Sequence, residues 1–197
     1  MKRLAAALIL ATLAACTGGP EPRILLGAPD LPEPAQRETV VRSIELREIS
    51  LPYYAQGEEI GEIQEDGSVL LRNDILWADL PPRALTLQLA QGLATRLPST
   101  AVAAEPWPLL SQADLRMEVQ VAEALGGARG LYRLSGQYFI VAARDGDYER
   151  AAPFDIQTPM DGTSLAALSR AQDAAFAELA DLMAEDVAAV TAADLAR

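Results

Sequence analysis

Hydrophobic positions recur along the chain with periods that change from segment to segment, and each period predicts an element. Val40, Ile44 and Leu46 share one face, after which Ile49 and Leu51 continue on the other. That change of phase predicts a strand carrying a bulge. Two short runs, residues 59–64 and 68–73, flank Glu65-Asp66-Gly67. Asp-Gly between such runs is a hairpin signal. Trp77 to Leu80 leads into Pro81-Pro82, whose fixed φ suits the first turn of a helix. Over Arg83 to Leu97, one stripe holds Leu85, Leu89 and Leu93 and the adjoining one Leu87, Ala90, Ala94 and Leu97. So wide an apolar surface predicts a helix packed against a sheet, and Pro98 ends it. Leu115, Met117, Val119 and Val121 then alternate with Arg116, Glu118 and Gln120, the pattern of a half-buried antiparallel strand.

Gly126-Gly127-Ala128-Arg129-Gly130 turns the chain into a second long strand over 131–143, and Asp145-Gly146 into a third from Tyr148 to Thr158, a three-strand meander. Pro159 to Gly162 breaks this pattern. From Ser164 to about Val190 the period becomes helical, with Leu165, Leu168, Phe176, Leu179, Met183, Val187 and Val190 in a stripe that Gln172 interrupts. Thr163 or Ser164 is the expected cap. Strands, helix, strands and helix joined by hairpins predict an α+β fold, a mostly antiparallel sheet with two main helices on one face.

The first sixteen residues follow a different logic. Lys2 and Arg3 precede an apolar run from Leu4 to Leu13, then the small residues Ala14 and Ala15, then Cys16. A charged start, a short apolar segment and small residues at the cut describe an export signal. At about 10 residues the run is half of what a spanning helix needs, so it is removed and not kept as an anchor. Leu13-Ala14-Ala15-Cys16 resembles the bacterial lipobox. In that class of signals the chain is cut between Ala15 and Cys16, the thiol receives a diacylglyceryl group and the new amine is acylated. The alternative is an ordinary signal peptide followed by an incidental free thiol. Thr17, where the inner-membrane retention rule of enteric bacteria has Asp, points to the outer membrane, facing the periplasm. Gly18, Gly19, Pro20, Pro22, Pro29, Pro32 and Pro34 then make a stiff, extended tether, with Arg23-Ile24-Leu25-Leu26 as an apolar island suited to an edge strand. The expected organisation is residues 1–15 as signal, 16–37 as lipidated cysteine and tether, and 38–192 as one domain.

Removing 15 of 197 residues leaves 182, enough for one good-sized core. The signal takes Lys2 and Arg3 with it, so 16 Lys and Arg fall to 14 against 28 Asp and Glu, a formal charge of −14. Such a surface is ill suited to nucleic acid or to anionic headgroups held by charge alone, so membrane attachment falls to the acyl chains or a partner. The chain has no His, which removes Ser-His-Asp and Cys-His catalysis and imidazole-ligated zinc. Its single Cys, committed to lipid, removes thiol catalysis and disulfides. No cofactor is expected beyond the covalent lipid on Cys16.

The remaining candidates each have two readings. Leu51-Pro52-Tyr53-Tyr54 either presents aromatic rings to a partner or leaves an edge strand with a satisfied Tyr hydroxyl. Trp77 is either a docking anchor or a buried staple before the helix, the second being the commoner role. Glu58, Glu59, Glu62, Glu65 and Asp66 are either hard-cation ligands or a solvated hairpin, and they lack the spacing of a calcium loop. Asp145 with Asp147, or Asp155 with Asp161, invites a glycosidase reading, yet these acids sit at turns in an acid-rich chain. The glycines at 126–130 lie between two strands and not before a helix, which removes a phosphate-cradle reading.

Several segments resemble, in order, the PqiC-type ABC-transport auxiliary lipoproteins, the lipoprotein partners of MCE-domain lipid-transport systems. Pro22-Arg23-Ile24-Leu25-Leu26 stands where that family has an Arg-aromatic-aromatic-Leu-like strand. Ile49-Ser50-Leu51-Pro52-Tyr53-Tyr54 resembles its Leu-Pro-x-Tyr strand end, and Trp77-Ala78-Asp79-Leu80 its Trp-Ala-[Glu/Asp]-Leu core. The departures are Ile24-Leu25 in place of the aromatic pair and the lack of a Leu after Tyr54. The resemblance implies a non-catalytic lipoprotein that docks an MCE-domain protein and supports phospholipid movement between inner and outer membranes, with homo-oligomerisation left open. Leu51, Pro52, Tyr53, Tyr54 and Trp77 are the candidate docking residues. The alternatives are a module that carries acyl chains in its own pocket and a carboxylate-based envelope hydrolase.

Overall fold

The strict period-two alternation after Asp114 yields the longest strand, β6 (Leu115–Gly127), and the sheet is built outward from it. The structure is a computed structural model that describes residues 22–26, 32–128, 130–144 and 146–196. The signal, the Ala15–Cys16 cut, Arg129 and Asp145 lie outside the described residues.

On one edge β6 pairs antiparallel with β7 (Leu131–Ala142), from Leu115↔Ala142 to Gly126↔Tyr132. β7 pairs antiparallel with β8 (Glu149–Pro159), so the expected meander is present. Its inward row buries Leu115, Met117, Val119, Leu134, Tyr138, Ile140 and Phe154. A bulge in β6 between Val121 and Glu123 faces Gly136, where a Cβ would stand 2.1 Å from the Gln120 carbonyl oxygen. Only glycine lets the two backbones approach so closely.

The other edge of β6 is shared. At its start lies β2 (Ser43–Leu46), parallel, with β5 (Ala101–Ala104) parallel beyond it. At its end lies β3 (Glu59–Ile63), parallel, which forms an antiparallel hairpin with β4 (Val69–Trp77). The tether island gives β1 (Arg23–Ile24), parallel to the far end of β4. Antiparallel ladders run the length of β3, β6, β7 and β8 and the parallel pairings are short, so the eight-stranded open sheet is mostly antiparallel.

The phase change after Leu46 is a real bulge. Leu46 lies opposite Met117 and Ser50 opposite Gln120, so the β2 side spends one residue more than β6 over the same stretch. Three expectations need correction. Val41, not Val40, is the buried valine of this segment. β4 runs on past Asn73 to Trp77. Strand β5 was not expected; Ala101-Val102-Ala103-Ala104 has one β-branched residue and no alternation, and pairing with β2 imposes its shape.

Helix α1 (Pro81–Arg96) buries Leu85, Leu89 and Leu93, while Leu87 on the adjoining stripe is exposed. Helix α2 (Leu165–Ala188) is capped by Ser164, whose hydroxyl oxygen accepts from the Ala167 N–H at 3.2 Å. α2 covers β7 and β8, and α1 packs beside it and against β5. The helices close on each other at Gly92, where a Cβ would be 3.2 Å from the Ala180 Cβ.

One turn further along α1, Arg96 is only 6% exposed. Its Nε and Nη2 donate to the two carboxylate oxygens of Asp181 at 2.7 and 2.8 Å, and Nη1 and Nη2 donate to the Gly92 and Ala177 carbonyls at 3.0 and 2.9 Å. A planar fork with its donors satisfied makes a buried guanidinium tolerable.

The Arg96 hydrogen bonds, helped by the charges of Arg96 and Arg37 and opposed by burial, hold the Asp181 carboxyl below the usual carboxylate range. A depressed folded-state value contributes stability above the unfolded pKa of about 3.9, and that stability is lost as pH falls through the folded value. Asp181→Asn is therefore expected to lower stability at neutral pH by about 1–3 kcal/mol, discounted because the carboxylate is part-exposed. Its loss on acidification below about pH 4 should be shallower than that of the wild type. Urea unfolding at neutral and acidic pH measures both.

Candidate partner-binding surface

Between Val121 and Gly126 no strand among the described residues runs beside the shared edge of β6. The Val121 N–H still reaches the Ser50 carbonyl at 2.9 Å, and β3 takes up the pairing only at Gly126. The chain from Leu51 to Glu58 crosses this gap. Leu51 is buried in the core, and Pro52 opens a single 3-10 turn over Tyr53–Ala55. The turn closes with Ala55 N–H on the Pro52 carbonyl at 2.8 Å, and the Gln56 side-chain amide donates to the Leu51 carbonyl at 2.8 Å.

The two adjacent tyrosines part company here. Tyr54 folds inward against Gly61, and its hydroxyl oxygen accepts from the Ala124 N–H at 3.1 Å, supplying the acceptor that a missing strand would have given. Burial raises its pKa, with the Ala124 donor opposing and the charge of Glu123 adding to the rise. Tyr53 points outward and is 90% exposed.

Trp77 is 5% exposed. Its N–H donates to the Glu58 carbonyl at 2.8 Å and its carbonyl accepts from Arg23 Nη1 at 3.1 Å. With Leu51, Tyr54, Leu85 and Gln172 its ring lines a cavity of about 30 Å³. That is about the volume of one water, against the ~300 Å³ or more of a ligand pocket. The same wall explains the interruption in the α2 stripe: buried Gln172 accepts from the Tyr132 hydroxyl at 3.2 Å, and its amide nitrogen has no protein partner. Of the five docking candidates, Leu51 and Trp77 are thus in the core and Tyr54 is committed to Ala124. Pro52 is half-buried, and Tyr53 is the candidate whose side chain is open to solvent.

The segment that carries Tyr53 also borders an open groove of about 490 Å³, lined by Arg47, Glu48, Ile49, Ser50, Leu51, Gln56, Pro82, Glu105 and Glu118. Sequence reading missed it because its walls come from four separated segments. Glu105 ties two of them, accepting from the Glu48 N–H at 2.9 Å and facing Arg47 at 3.5 Å. Thr86, from α1, accepts from the Ile49 N–H at 2.9 Å and donates to the Pro82 carbonyl at 2.6 Å, fixing the groove floor. Three carboxylates against one guanidinium make the groove polar and acidic.

Several of the other acidic candidates are engaged by the fold. Glu58 pairs with Arg23 at 3.1 Å, Glu62 with Arg72 at 3.2 Å, and Asp66 accepts from the Ser68 hydroxyl at 2.7 Å. Among the described residues no three acids converge on a common point suited to a metal. Asp155 takes both arms of Arg133, at 2.9 and 2.8 Å, and Asp161 and Asp147 are exposed. Gly126 and Gly127 end β6 and pair with β3, and Gly130, whose N–H donates to the Gly127 carbonyl at 3.0 Å, precedes β7.

A family model described as "ABC-type transport auxiliary lipoprotein component" matches residues 24–184, most of the chain. No curated protein matches the sequence. Two solved structures share the fold. One, of an uncharacterized protein, has a TM-score of 0.68 at 17% identity, covering 85% of this chain and 99% of its own. The other, from Xanthomonas campestris and belonging to a family of unknown function, has a TM-score of 0.58 at 14% identity, covering 85% of this chain and 92% of its own.

Tyr54→Phe leaves the Ala124 N–H without its acceptor and is expected to cost about 1–2 kcal/mol in chemical unfolding. Tyr53→Ala, removing a ring that touches little, should change stability by less than about 0.5 kcal/mol. Equal losses at the two positions would contradict the split between them.

Proposed function

The chain belongs to the family of ABC-type transport auxiliary lipoprotein components, and from that premise we propose that it is the non-catalytic lipoprotein subunit of an MCE/ABC-type lipid-transport system. Acylated at Cys16 and held at the outer membrane, it docks an MCE-domain protein in the periplasm. In doing so it supports phospholipid movement between the two membranes and the integrity of the envelope. The observation that carries this reading is the family match over residues 24–184 behind Leu13-Ala14-Ala15-Cys16.

The geometry supports docking over carriage. The cavity beside Trp77 has room for about one water, and the larger concavity is an open acidic groove. Neither suits an acyl chain. Pro52 and Tyr53 offer rigid, amphipathic contact area at low entropic cost. A body of formal charge −14 steers toward a partner surface rich in Lys and Arg. No helix among the described residues is long and apolar enough to cross a membrane, which fits attachment through the lipid on Cys16.

A photoreactive side chain placed at Tyr53 in the full-length protein, irradiated in cells, is expected to yield an adduct with an MCE-domain protein. Adducts only with a second copy of the chain, or with cell-wall polymer, would overturn the reading. Tyr53→Ala should weaken the association without changing the unfolding midpoint. Cys16→Ser is expected to move the protein from the membrane fraction to the soluble periplasm, read by fractionation and by loss of acyl mass.

A further inference from the structure

Strand β1 is the described segment nearest in sequence to Cys16, and its direction shows which end of the sheet the chain enters from. β1 runs parallel to β4, with Arg23 opposite Leu76 and Ile24 opposite Trp77. β4 starts at the hairpin turn, so the chain preceding Arg23 leaves toward that turn. From Arg23 back to Cys16 is seven residues, and from Leu76 back to Val69 is also seven. Either stretch spans at most about 23 Å when extended. The reach of the tether thus matches the length of β4, and the acyl chains sit within range of the hairpin end of the sheet.

That end carries an apolar run without a buried face. Val69, Leu70 and Leu71 are all exposed, Leu70 at 52%. Consecutive residues of a strand point to opposite sides, so both faces of β4 are open here. Among the described residues the run lies on the outer edge of the sheet, since β1 pairs there only with Leu76 and Trp77. Exposed Leu131 joins the same end: Val69 pairs with Ile63, Ile63 with Gly127, and the neighbouring Gly126 with Tyr132. Open apolar sheet edges in water invite association, and such patches mark a surface that something covers.

We propose that the covering surface is the lipid bilayer itself, and that the protein stands with the β3–β4 hairpin end against the membrane that holds its acyl chains. This rests on the lipoprotein reading and adds an orientation to it. Val69, Leu70, Leu71 and Leu131 rest in the interfacial layer. Glu65 and Asp66 in the turn stay among hydrated headgroups, Asp66 folded back on Ser68 through bonds of 2.9 and 2.7 Å. These carboxylates favour zwitterionic over anionic lipid.

The experiment uses the full-length acylated protein in vesicles of phosphatidylcholine and phosphatidylethanolamine. Because lipid blocks Cys16, Leu70→Cys and Leu110→Cys each give one free thiol for an environment-sensitive fluorophore. Leu110 is exposed in the loop before β6, at the opposite end of the sheet. Nitroxide-labelled lipid is expected to quench the probe at 70 several-fold more than the probe at 110. Replacing part of the phosphatidylcholine with phosphatidylglycerol should reduce that difference at low salt. Equal quenching, or stronger quenching at 110, overturns the orientation, as does protection at 70 that needs an added envelope protein. A protein that fails to float with the vesicles and lacks acyl mass on Cys16 overturns the lipoprotein reading beneath it.

Discussion

Every backbone N–H and C=O on both edges of a long strand needs a partner, and the way β6 meets that demand determines the rest of the molecule. One edge is simple, since β7 follows it from end to end. The other is assembled from β2, a single bridge at Ser50, the hydroxyl of Tyr54, and β3. A side chain standing in for a strand is what allows the chain between Leu51 and Glu58 to leave the sheet without stranding a buried amide. The excursion throws Tyr53 into solvent and forms one side of the acidic groove. The exposure of Tyr53 and the groove beside it is thus a consequence of how the sheet closes its ladder.

What was legible in the sequence follows from which interactions are local. The meander and both helices are written in the periods of their own residues, and the bulge after Leu46 showed as a shift of face. β5 was invisible because four small residues carry no period and take their shape from β2. Tyr53 and Tyr54 are the same residue side by side, and alternation does not assign faces in a 3-10 turn. Only the position of the Ala124 N–H, seventy residues away, decides which ring is buried. Gln172 was legible as a break in an apolar stripe, but its partner Tyr132 lies forty residues upstream. Arg96 gave no signal, because burial of a guanidinium depends on what the other helix brings to it.

The distribution of acids carries a similar lesson. Twenty-eight Asp and Glu make almost any pair of carboxylates a candidate site on paper. Folding separates them by giving most of the conspicuous ones a structural partner: Asp181 to Arg96, Asp155 to Arg133, Glu62 to Arg72, Asp186 to Arg150 and Tyr138. The Tyr138 hydroxyl, donating to Asp186 at 2.6 Å, is pushed up first by burial and then by that bond. Such a group holds α2 onto β7 and is poorly placed to exchange protons. At the groove the balance differs: Glu48, Glu105 and Glu118 line an open concavity whose lining holds one cation, Arg47, which faces Glu105 at 3.5 Å. Excess negative charge facing solvent costs little alone and gains when a basic surface arrives.

The two proposed interaction surfaces are separated along β6, and the separation bears on how such a subunit would work. The hairpin end, where Gly126 and Gly127 pair with β3, is the end toward which β1 directs the anchor. Glu118, in the groove, is nine residues from Gly127, about 30 Å along an extended strand. Ala124, beneath Tyr54, lies between them. A domain standing on its hairpin end therefore lifts the acidic groove well clear of the headgroups, beyond a Debye length of about 8 Å. In the proposed orientation the groove's charge faces away from the membrane, toward a partner. One strand, paired along its whole length by β7, sets that height.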